Sequence, residues 1–363
     1  MADWIFLDHH SKGRPSVSIA KEMAKETASH WLFGEEGIDR LEKEILSFCG
    51  IQGGELRLSS SAAQSHFQIL LSHYIDSIRE TGRTHILAPE TEVKSITGGI
   101  KRLEKFEVQG KWIPVNQNGQ ITKAALEEVV RARSSLLALS WADPLSGVVQ
   151  PIHDLLEVCR EHDIKLHLDV SAALGKLYLP LANLEVDYFT FDGNLLGCPC
   201  PVGATLLKKG SKIAPLGFGA PSFPYSYFSS LKKGVSNALE KMDHYAMEVA
   251  RLRDHLEGLF SNMGGELFFQ EVERLPNTVV VAFEGIHAEH LLFHLKRQGL
   301  IATTGGGRLC ELLTKCGVKR SAALSAIAFT LSDATTQEEI ERAAEIVRAG
   351  LDSLTPYSER IHA

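Results

Sequence analysis

The stretch Val186-Asp187-Tyr188-Phe189-Thr190-Phe191-Asp192-Gly193-Asn194-Leu195-Leu196-Gly197-Cys198-Pro199-Cys200-Pro201-Val202-Gly203 gives the clearest structural signal in the chain. Residues 186–191 form a short, aromatic-rich apolar run, and the glycines and prolines that follow exclude a helix. The pattern predicts a buried strand that opens into a loop at a functional site. A second strand is predicted from Ala204 to Leu207.

A second short apolar strand lies upstream and ends on a carboxylate, in the sequence Lys165-Leu166-His167-Leu168-Asp169. Apolar strands alternate with helical patterns through this part of the chain. Strands are predicted near 84–88, 106–115 and 134–140, and helices near 92–103, 122–132 and 151–162. Such alternation predicts an α/β fold whose parallel sheet is covered by helices on both faces.

Together these segments resemble the cysteine desulfurases, which are class V aminotransferases of the fold-type I pyridoxal-phosphate enzymes. Residues 167–176 are similar to the family pattern His-x-Asp-Ala-x-Gln-Ala-x-Gly-Lys. Residues 187–195 align without a gap with Asp-x-x-Ser-x-Ser-Gly-His-Lys. Similarity extends over nearly the whole chain, for example at Leu275-Pro276-Asn277-Thr278.

The resemblance implies a large domain with a mostly parallel sheet and a smaller α+β C-terminal domain. We expect the large domain at residues 14–260 and the small domain at residues 1–13 and 261–363. The resemblance also implies a homodimer.

The chain departs from the family at the positions that the resemblance assigns to chemistry. Leu195 stands where the lysine forms the Schiff base, and Arg308 stands at the catalytic cysteine. Ala328 replaces the arginine that grips the substrate carboxylate, and Asp143-Pro144 replaces paired asparagines. Cys310 is a candidate for a different nucleophile, although a small apolar residue packed on a helix is the favoured interpretation.

Pyridoxal phosphate is the cofactor that the resemblance implies. It would lie against Ser60, Ser61 and Ala62 at a helix start, with Asp169 beside the ring nitrogen. A serine-rich turn before a helix can bind an anion, but N-capping accounts for the serines equally well. Asp192 replaces a serine that contacts the phosphate, so like charges would meet there. We expect a vestigial site, with no internal aldimine.

Composition restricts the partners. The chain has 363 residues, of which 44% are hydrophobic and 23% charged, and its net charge of −7 provides no basic field for nucleic acid. No apolar run approaches the roughly 20 residues needed to span a bilayer. Because residues 1–6 also show no basic region ahead of an apolar one, we expect a cytoplasmic protein. Six cysteines in so long a chain predict reduced thiols rather than a disulfide framework. Cys198 and Cys200 are too closely spaced for a typical zinc pair.

Two functions remain open from the sequence. The first is a catalytically impaired desulfurase homologue that acts by binding, in iron–sulfur or sulfur-transfer assembly, with a sulfur-transfer or scaffold protein as partner. The alternative is an active pyridoxal-phosphate-dependent cysteine desulfurase, or a related lyase or transaminase. The alternative requires an imine-forming lysine in place of Leu195.

Overall fold

The computed structural model describes residues 4–10, 12–29, 35–51, 53–211 and 223–361. Its strands are β1 (Ile5–Phe6), β2 (Glu55–Ser59), β3 (His85–Pro89), β4 (Gln109–Ile113), β5 (Ser134–Ser140), β6 (Lys165–Asp169), β7 (Tyr188–Asp192), β8 (Gly203–Leu207), β9 (Gly265–Phe268), β10 (Thr278–Phe283), β11 (Leu300–Ile301) and β12 (Ala326–Thr330).

Its helices are α1 (Val17–Ser29), α2 (Glu35–Phe48), α3 (Ala62–His73), α4 (Arg79–Thr81), α5 (Lys94–Leu103), α6 (Lys123–Val129), α7 (Ile152–Glu161), α8 (Tyr225–Glu240), α9 (Met242–His244), α10 (Ala250–Ser261), α11 (Ala288–Arg297), α12 (Arg308–Lys315), α13 (Arg320–Leu324) and α14 (Gln337–Ile361). One π-helical segment joins α3 to α4, and another joins α9 to α10.

The largest sheet has seven strands in the order β2-β8-β7-β6-β5-β3-β4. Strands β3 to β7 pair in parallel, and β8 runs antiparallel to both of its neighbours. Every residue of β5 is buried, as expected for a strand with helices on both faces. The parallel α/β prediction is therefore confirmed. The carboxyl ends of the parallel strands meet at one edge, where open α/β sheets bind ligands.

A second, antiparallel sheet has the order β12-β10-β9. The amino-terminal strand β1 pairs in parallel with β11, and Asp8 bridges to Thr330. The first residues of the chain therefore lie against its C-terminal part. The separate apolar core around Phe260, Phe283 and Phe329 supports a division into two domains. That core also contains Leu252 and Leu256 of α10, so it begins before residue 260, and the bounds 14–260 and 1–13 with 261–363 stay a proposal.

Some boundaries differ from the predicted ones. The strand predicted at 106–115 begins only at Gln109, because residues Glu104–Phe106 form a 3₁₀ turn and Glu107 has a positive φ of 68°. The strand β9 was not predicted, since its residues Gly265–Phe268 are only partly buried or exposed and lack a continuous apolar run. Neither difference moves the carboxyl edge of the sheet.

Candidate functional site

Asp169 is the last residue of β6 and lies at the carboxyl edge of the sheet. Its Oδ1 accepts hydrogen bonds from the backbone N–H of Ser171, at 2.9 Å, and from the Ser171 hydroxyl. Its Oδ2 lies 3.2 Å from Nε2 of His66 on α3. Burial raises the pKa of Asp169, but His66 and the Ser171 hydrogen bonds outweigh it and leave the pKa lowered. The carboxylate is thus ionised, and groups of this chain contact both of its oxygens.

His66 is a member of this site that the sequence did not reveal. Its Nδ1 lies 2.9 Å from the Ser95 hydroxyl, and its ring is 5.3 Å from the ring of His167. The imidazole is therefore positioned from two sides. A histidine within an apolar helix gives no periodic signal of such a role, and only its burial at 2% exposure distinguishes it.

The start of α3 is capped by its own serines. The Ser61 side chain accepts a hydrogen bond from the Gln64 N–H at 3.2 Å, which makes Ser61 the N-cap. The backbone N–H and the hydroxyl of Ser60 both donate to Gln64 Oε1, at 2.7 and 2.8 Å. Of the two interpretations of this turn, N-capping describes the contacts made here.

A carboxylate of the chain also lies at this helix start. Asp192 Oδ2 accepts a hydrogen bond from the N–H of Ala62 at 3.1 Å, and Oδ1 accepts one from the N–H of Asn194 at 2.9 Å. Burial raises the pKa of Asp192, and these hydrogen bonds oppose that shift. A negative group at a helix N-terminus is favourable because the helix dipole is positive there. The Asp192 carboxylate therefore occupies the anion site at this helix start, which would otherwise be available to a ligand.

The backbone leaves little room at this point. A Cβ atom added to Gly203, which pairs with Asp192 across β7 and β8, would lie 2.3 Å from the carbonyl carbon of Ser61. Glycine is thus required where the start of α3 packs directly on the sheet.

Leu195 lies in the 3₁₀ turn Gly193–Leu196 that follows β7. It lines a cavity of about 10 Å³ together with Ala172 and Lys176, which is room for about one water molecule. An alkyl side chain can neither form an imine nor transfer a proton. The position that the resemblance assigns to covalent chemistry therefore carries no reactive group.

Lys176 is the amine that shares this small cavity. Its Nζ donates a hydrogen bond to the Ala172 carbonyl at 2.9 Å, and burial lowers its pKa from 10.5 to about 8. The Tyr245 ring centroid lies 5.9 Å from Nζ. The contact with the Ala172 carbonyl indicates a structural role for this lysine.

The lowered pKa of Lys176 predicts a pH dependence of stability. Because the folded protein releases this proton before the unfolded chain does, the contribution of Lys176 to stability should rise with pH between about 8 and 10.5. Below about pH 8 both states hold the proton, so the contribution of this group is constant. Urea unfolding across this range should show the wild type gaining stability relative to Lys176→Met, because the buried thiols that also titrate there are common to both proteins. A constant difference in stability between the two proteins would contradict the assignment.

Arg308 begins α12 and follows three glycines with φ values of 61°, 65° and 89°. Its guanidinium forms an ion pair with Asp143 and donates to the Thr91 carbonyl at 2.8 Å. Both side chains of the pair are 13% exposed. Burial lowers the pKa of Arg308, but the charge of Asp143 outweighs it and leaves the pKa raised. The ion pair thus fixes the glycine-rich loop against the large sheet.

Asp143 is itself held by its own loop. Its Oδ1 accepts hydrogen bonds from the N–H of Leu145 at 3.0 Å and from the N–H of Ser146 at 2.7 Å. The sequence placed Asp143 and Arg308 at two unrelated departures from the family pattern, and the structure brings them together. The only sign of this contact in the sequence was that Asp143 and Arg308 carry opposite charges.

Cys310 and Ala328, the two remaining candidate residues, are surrounded by apolar side chains and strands. Cys310 lies on α12, half-buried against the apolar cluster that contains Leu145 and Leu309. Ala328 is fully buried in β12 and pairs with Val280 of β10. Neither position presents a charged group to the Asp169 edge.

Within the described residues, no group of three or more histidine, cysteine or acidic side chains could hold a metal ion. No helix in the same part of the chain is long and apolar enough to cross a bilayer.

Known proteins are similar to this chain over almost its full length. The "Cysteine desulfurase IscS" of Serratia proteamaculans is 24% identical, with 98% of this chain and 94% of that protein aligned. The protein of the same name from Methanosarcina thermophila is 25% identical over 86% of this chain and 81% of its own. A solved "NifS-like protein" superposes with a TM-score of 0.90 at 23% identity, covering 97% of this chain and all of the other.

A structure of a cysteine desulfurase from Thermococcus onnurineus superposes with a TM-score of 0.82 at 13% identity, over 97% of this chain and 96% of that chain. These superpositions show that the chain has the fold of the fold-type I pyridoxal-phosphate enzymes. The family model "Aminotransferase class-V" matches residues 36–343. The curated relatives named above are cysteine desulfurases, to which this chain is similar. Because the family model covers well over half of the chain, the protein belongs to the class V aminotransferase family.

Proposed function

We propose that this protein is a catalytically impaired member of its family that acts by binding another protein. The observation that carries the proposal is the pair of changes around β7: Leu195 stands where an imine-forming lysine is needed, and the Asp192 carboxylate accepts the Ala62 N–H at 3.1 Å. Pyridoxal-phosphate chemistry needs both the lysine and a helix start that is free to bind the phosphate. Both are lost here, while the surrounding fold is kept.

The residues present do not fit pyridoxal phosphate, the cofactor that family membership implies. The N–H of Ala62 is bonded to Asp192, and the donors of Ser60 are bonded to Gln64. At about 4 Å and an effective dielectric constant near 20, each pair of like unit charges costs about 4 kcal/mol, and a phosphate carries up to two. Asp192 therefore opposes the cofactor phosphate at the place where the helix would stabilise it.

An active pyridoxal-phosphate-dependent desulfurase, lyase or transaminase is the second candidate. Asp169 favours it, because an ionised carboxylate at the end of β6 would suit a protonated pyridine nitrogen. However, its Oδ2 lies 3.2 Å from His66, and that contact gives the carboxylate a partner within the chain. The contacts of Asp169 can thus be explained by a structural role within the chain.

Activity measurements separate the two candidates. We expect purified protein incubated with pyridoxal phosphate to show no visible absorbance band of an internal imine and no sulfide release from free cysteine. The control is the same mixture without protein, and a related active desulfurase serves as the positive reference. Sulfide release above the control would overturn the proposal.

The binding partner that we propose is a sulfur-transfer or iron–sulfur scaffold protein in the cytoplasm. The support is the similarity of the chain to curated cysteine desulfurases, together with a fold that retains its sheets and its apolar cores. The described cysteines are free thiols, which agrees with a reducing compartment.

We also propose that the chain forms a homodimer, since two-fold dimers are the commonest assemblies of such chains. Light scattering at micromolar concentration should give about twice the monomer mass of 39.9 kDa. A mass equal to the monomer would contradict the dimer without affecting the proposal on catalysis.

A further inference from the structure

The packing of α3 on α5 brings a serine hydroxyl onto a buried histidine. A Cβ atom added to Gly99 of α5 would lie 2.6 Å from Cδ1 of Leu70 on α3, so the two helices approach closely there. Ser95 and His66 each lie four residues earlier, which places them on the same two facing sides. The Ser95 hydroxyl lies 2.9 Å from Nδ1 of His66. A hydroxyl and an imidazole are thus held within hydrogen-bonding distance.

The other imidazole nitrogen faces a carboxylate. Nε2 of His66 lies 3.2 Å from Oδ2 of Asp169, and the lowered pKa of Asp169 keeps that carboxylate ionised. An ionised carboxylate favours the imidazole tautomer whose proton is on Nε2, because that proton faces the negative charge. Nδ1 is then free to accept the proton of the Ser95 hydroxyl. Hydroxyl, imidazole and carboxylate in this order form the constellation that activates a serine nucleophile.

The three side chains differ in their access to solvent. His66 is 2% exposed and Asp169 is 8% exposed, whereas Ser95 is only half-buried. The Asp169 carboxylate is also fixed through its second oxygen, which accepts hydrogen bonds from the N–H and the hydroxyl of Ser171. A fixed, shielded base beside a hydroxyl that a substrate can approach is what nucleophilic catalysis requires.

The start of α5 supplies hydrogen-bond donors beside the same hydroxyl. The Glu92 carboxylate accepts the N–H of Val93 at 2.8 Å, and its other oxygen accepts the N–H of Ser140 at 2.8 Å. The next two N–H groups, those of Lys94 and Ser95, have no acceptor within the described part of the chain. Free N–H groups at the positive end of a helix stabilise an oxyanion. The N–H of the serine itself is therefore available for the charge that develops on an attacked carbonyl.

We propose that Ser95, with His66 as its base, is the nucleophile of a site that hydrolyses small carboxylic esters. The Ser95 oxygen bonds to the ester carbonyl carbon while its proton passes to Nδ1 of His66. The bond from that carbon to the alcohol oxygen then breaks, and the alcohol leaves with the proton from His66. Water attacks the acyl group on Ser95 in the same way, which releases the acid and restores the serine.

The substrate class follows from the same contacts. An ester suits this arrangement because its alcohol needs a single proton on leaving, which His66 carries. The close approach of α3 and α5 restricts the acyl group to a small one. Asp169 is a positioning residue in this proposal, since it acts through His66. The inference goes beyond the proposed binding function and does not depend on it, because neither Leu195 nor Asp192 takes part.

The experiment uses the full chain with p-nitrophenyl acetate as substrate and phenylmethylsulfonyl fluoride as covalent label. We expect saturable hydrolysis above the protein-free control, and peptide mass spectrometry should find the label on Ser95. Ser95→Ala should lose the label and lower the saturable rate at least about tenfold. A wild type with no label on Ser95, or equal hydrolysis by the wild type and Ser95→Ala, would overturn the proposal.

Two further variants separate a catalytic arrangement from a structural one. Thr97→Ala removes a hydroxyl of the same helix that donates to the Val93 carbonyl at 3.3 Å, and it should leave labelling and hydrolysis unchanged. Asp169→Asn should slow the labelling of Ser95 at least about tenfold in protein that urea unfolding shows to be folded, because the amide no longer favours the Nε2–H tautomer. Labelling at the wild-type rate in folded Asp169→Asn would overturn the role assigned to Asp169.

Discussion

Replacing Arg308 with alanine is expected to lower the free energy of unfolding by about 3–5 kcal/mol, because removing one partner leaves a buried charge uncompensated. The partner is Asp143, whose side chain is 13% exposed. The variant also loses the 2.8 Å hydrogen bond from Arg308 to the Thr91 carbonyl. Urea unfolding followed by circular dichroism measures the loss.

The chain provides a matched control on the same helix. Lys315 pairs with Glu90 at 2.5 Å, but its side chain is 52% exposed, so Lys315→Ala should cost no more than about 1 kcal/mol. In the double variant Arg308→Ala/Asp143→Ala the uncompensated charge is gone. Its loss should therefore be smaller than the sum of the two single losses. Similar small losses for Arg308→Ala and Lys315→Ala would show that the buried pair does not fix the loop.

The sheet could be predicted because burial leaves a local record in the sequence. Strand β5 is buried at every position, and the apolar run Leu136-Leu137-Ala138-Leu139 indicates a buried strand. The end of β6 could be predicted too, since the apolar run stops at Asp169. Such signals depend on neighbours within a few residues, so a single sequence is sufficient to find them.

The contacts that define the site could not be predicted in the same way. Asp192 and Ala62 are 130 residues apart, and Arg308 and Asp143 are 165 residues apart. A hydrogen bond between distant residues imposes no periodicity on either segment, and many carboxylates in the chain could have been the partner. The sequence could identify which positions had changed but not that the changed residues bond to groups of their own chain.

Leu195→Lys alone is expected to restore neither cofactor binding nor desulfurase activity. The new amine could form an imine, but Asp192 would still bond the Ala62 N–H and repel the phosphate. Arg308 would still stand at the position of the sulfur acceptor, and Ala328 at that of the substrate clamp. Groups that act as a unit are strongly non-additive, so one repair recovers little. Sulfide release by this single variant would contradict the expectation.

The double variant Leu195→Lys/Asp192→Ser should, in contrast, bind pyridoxal phosphate and show the visible absorbance of an imine, while still releasing no sulfide. Serine removes the negative charge and can still cap the helix start, so the fold should be retained. Leu195→Lys/Asp192→Asn is the isosteric control: it removes the same charge and keeps the side-chain shape, and should also gain absorbance. If the serine and asparagine variants both stay colourless at saturating cofactor, charge at Asp192 is not what opposes binding. Colour in both, and in neither single variant, would assign the loss of the cofactor to Leu195 and Asp192 acting together.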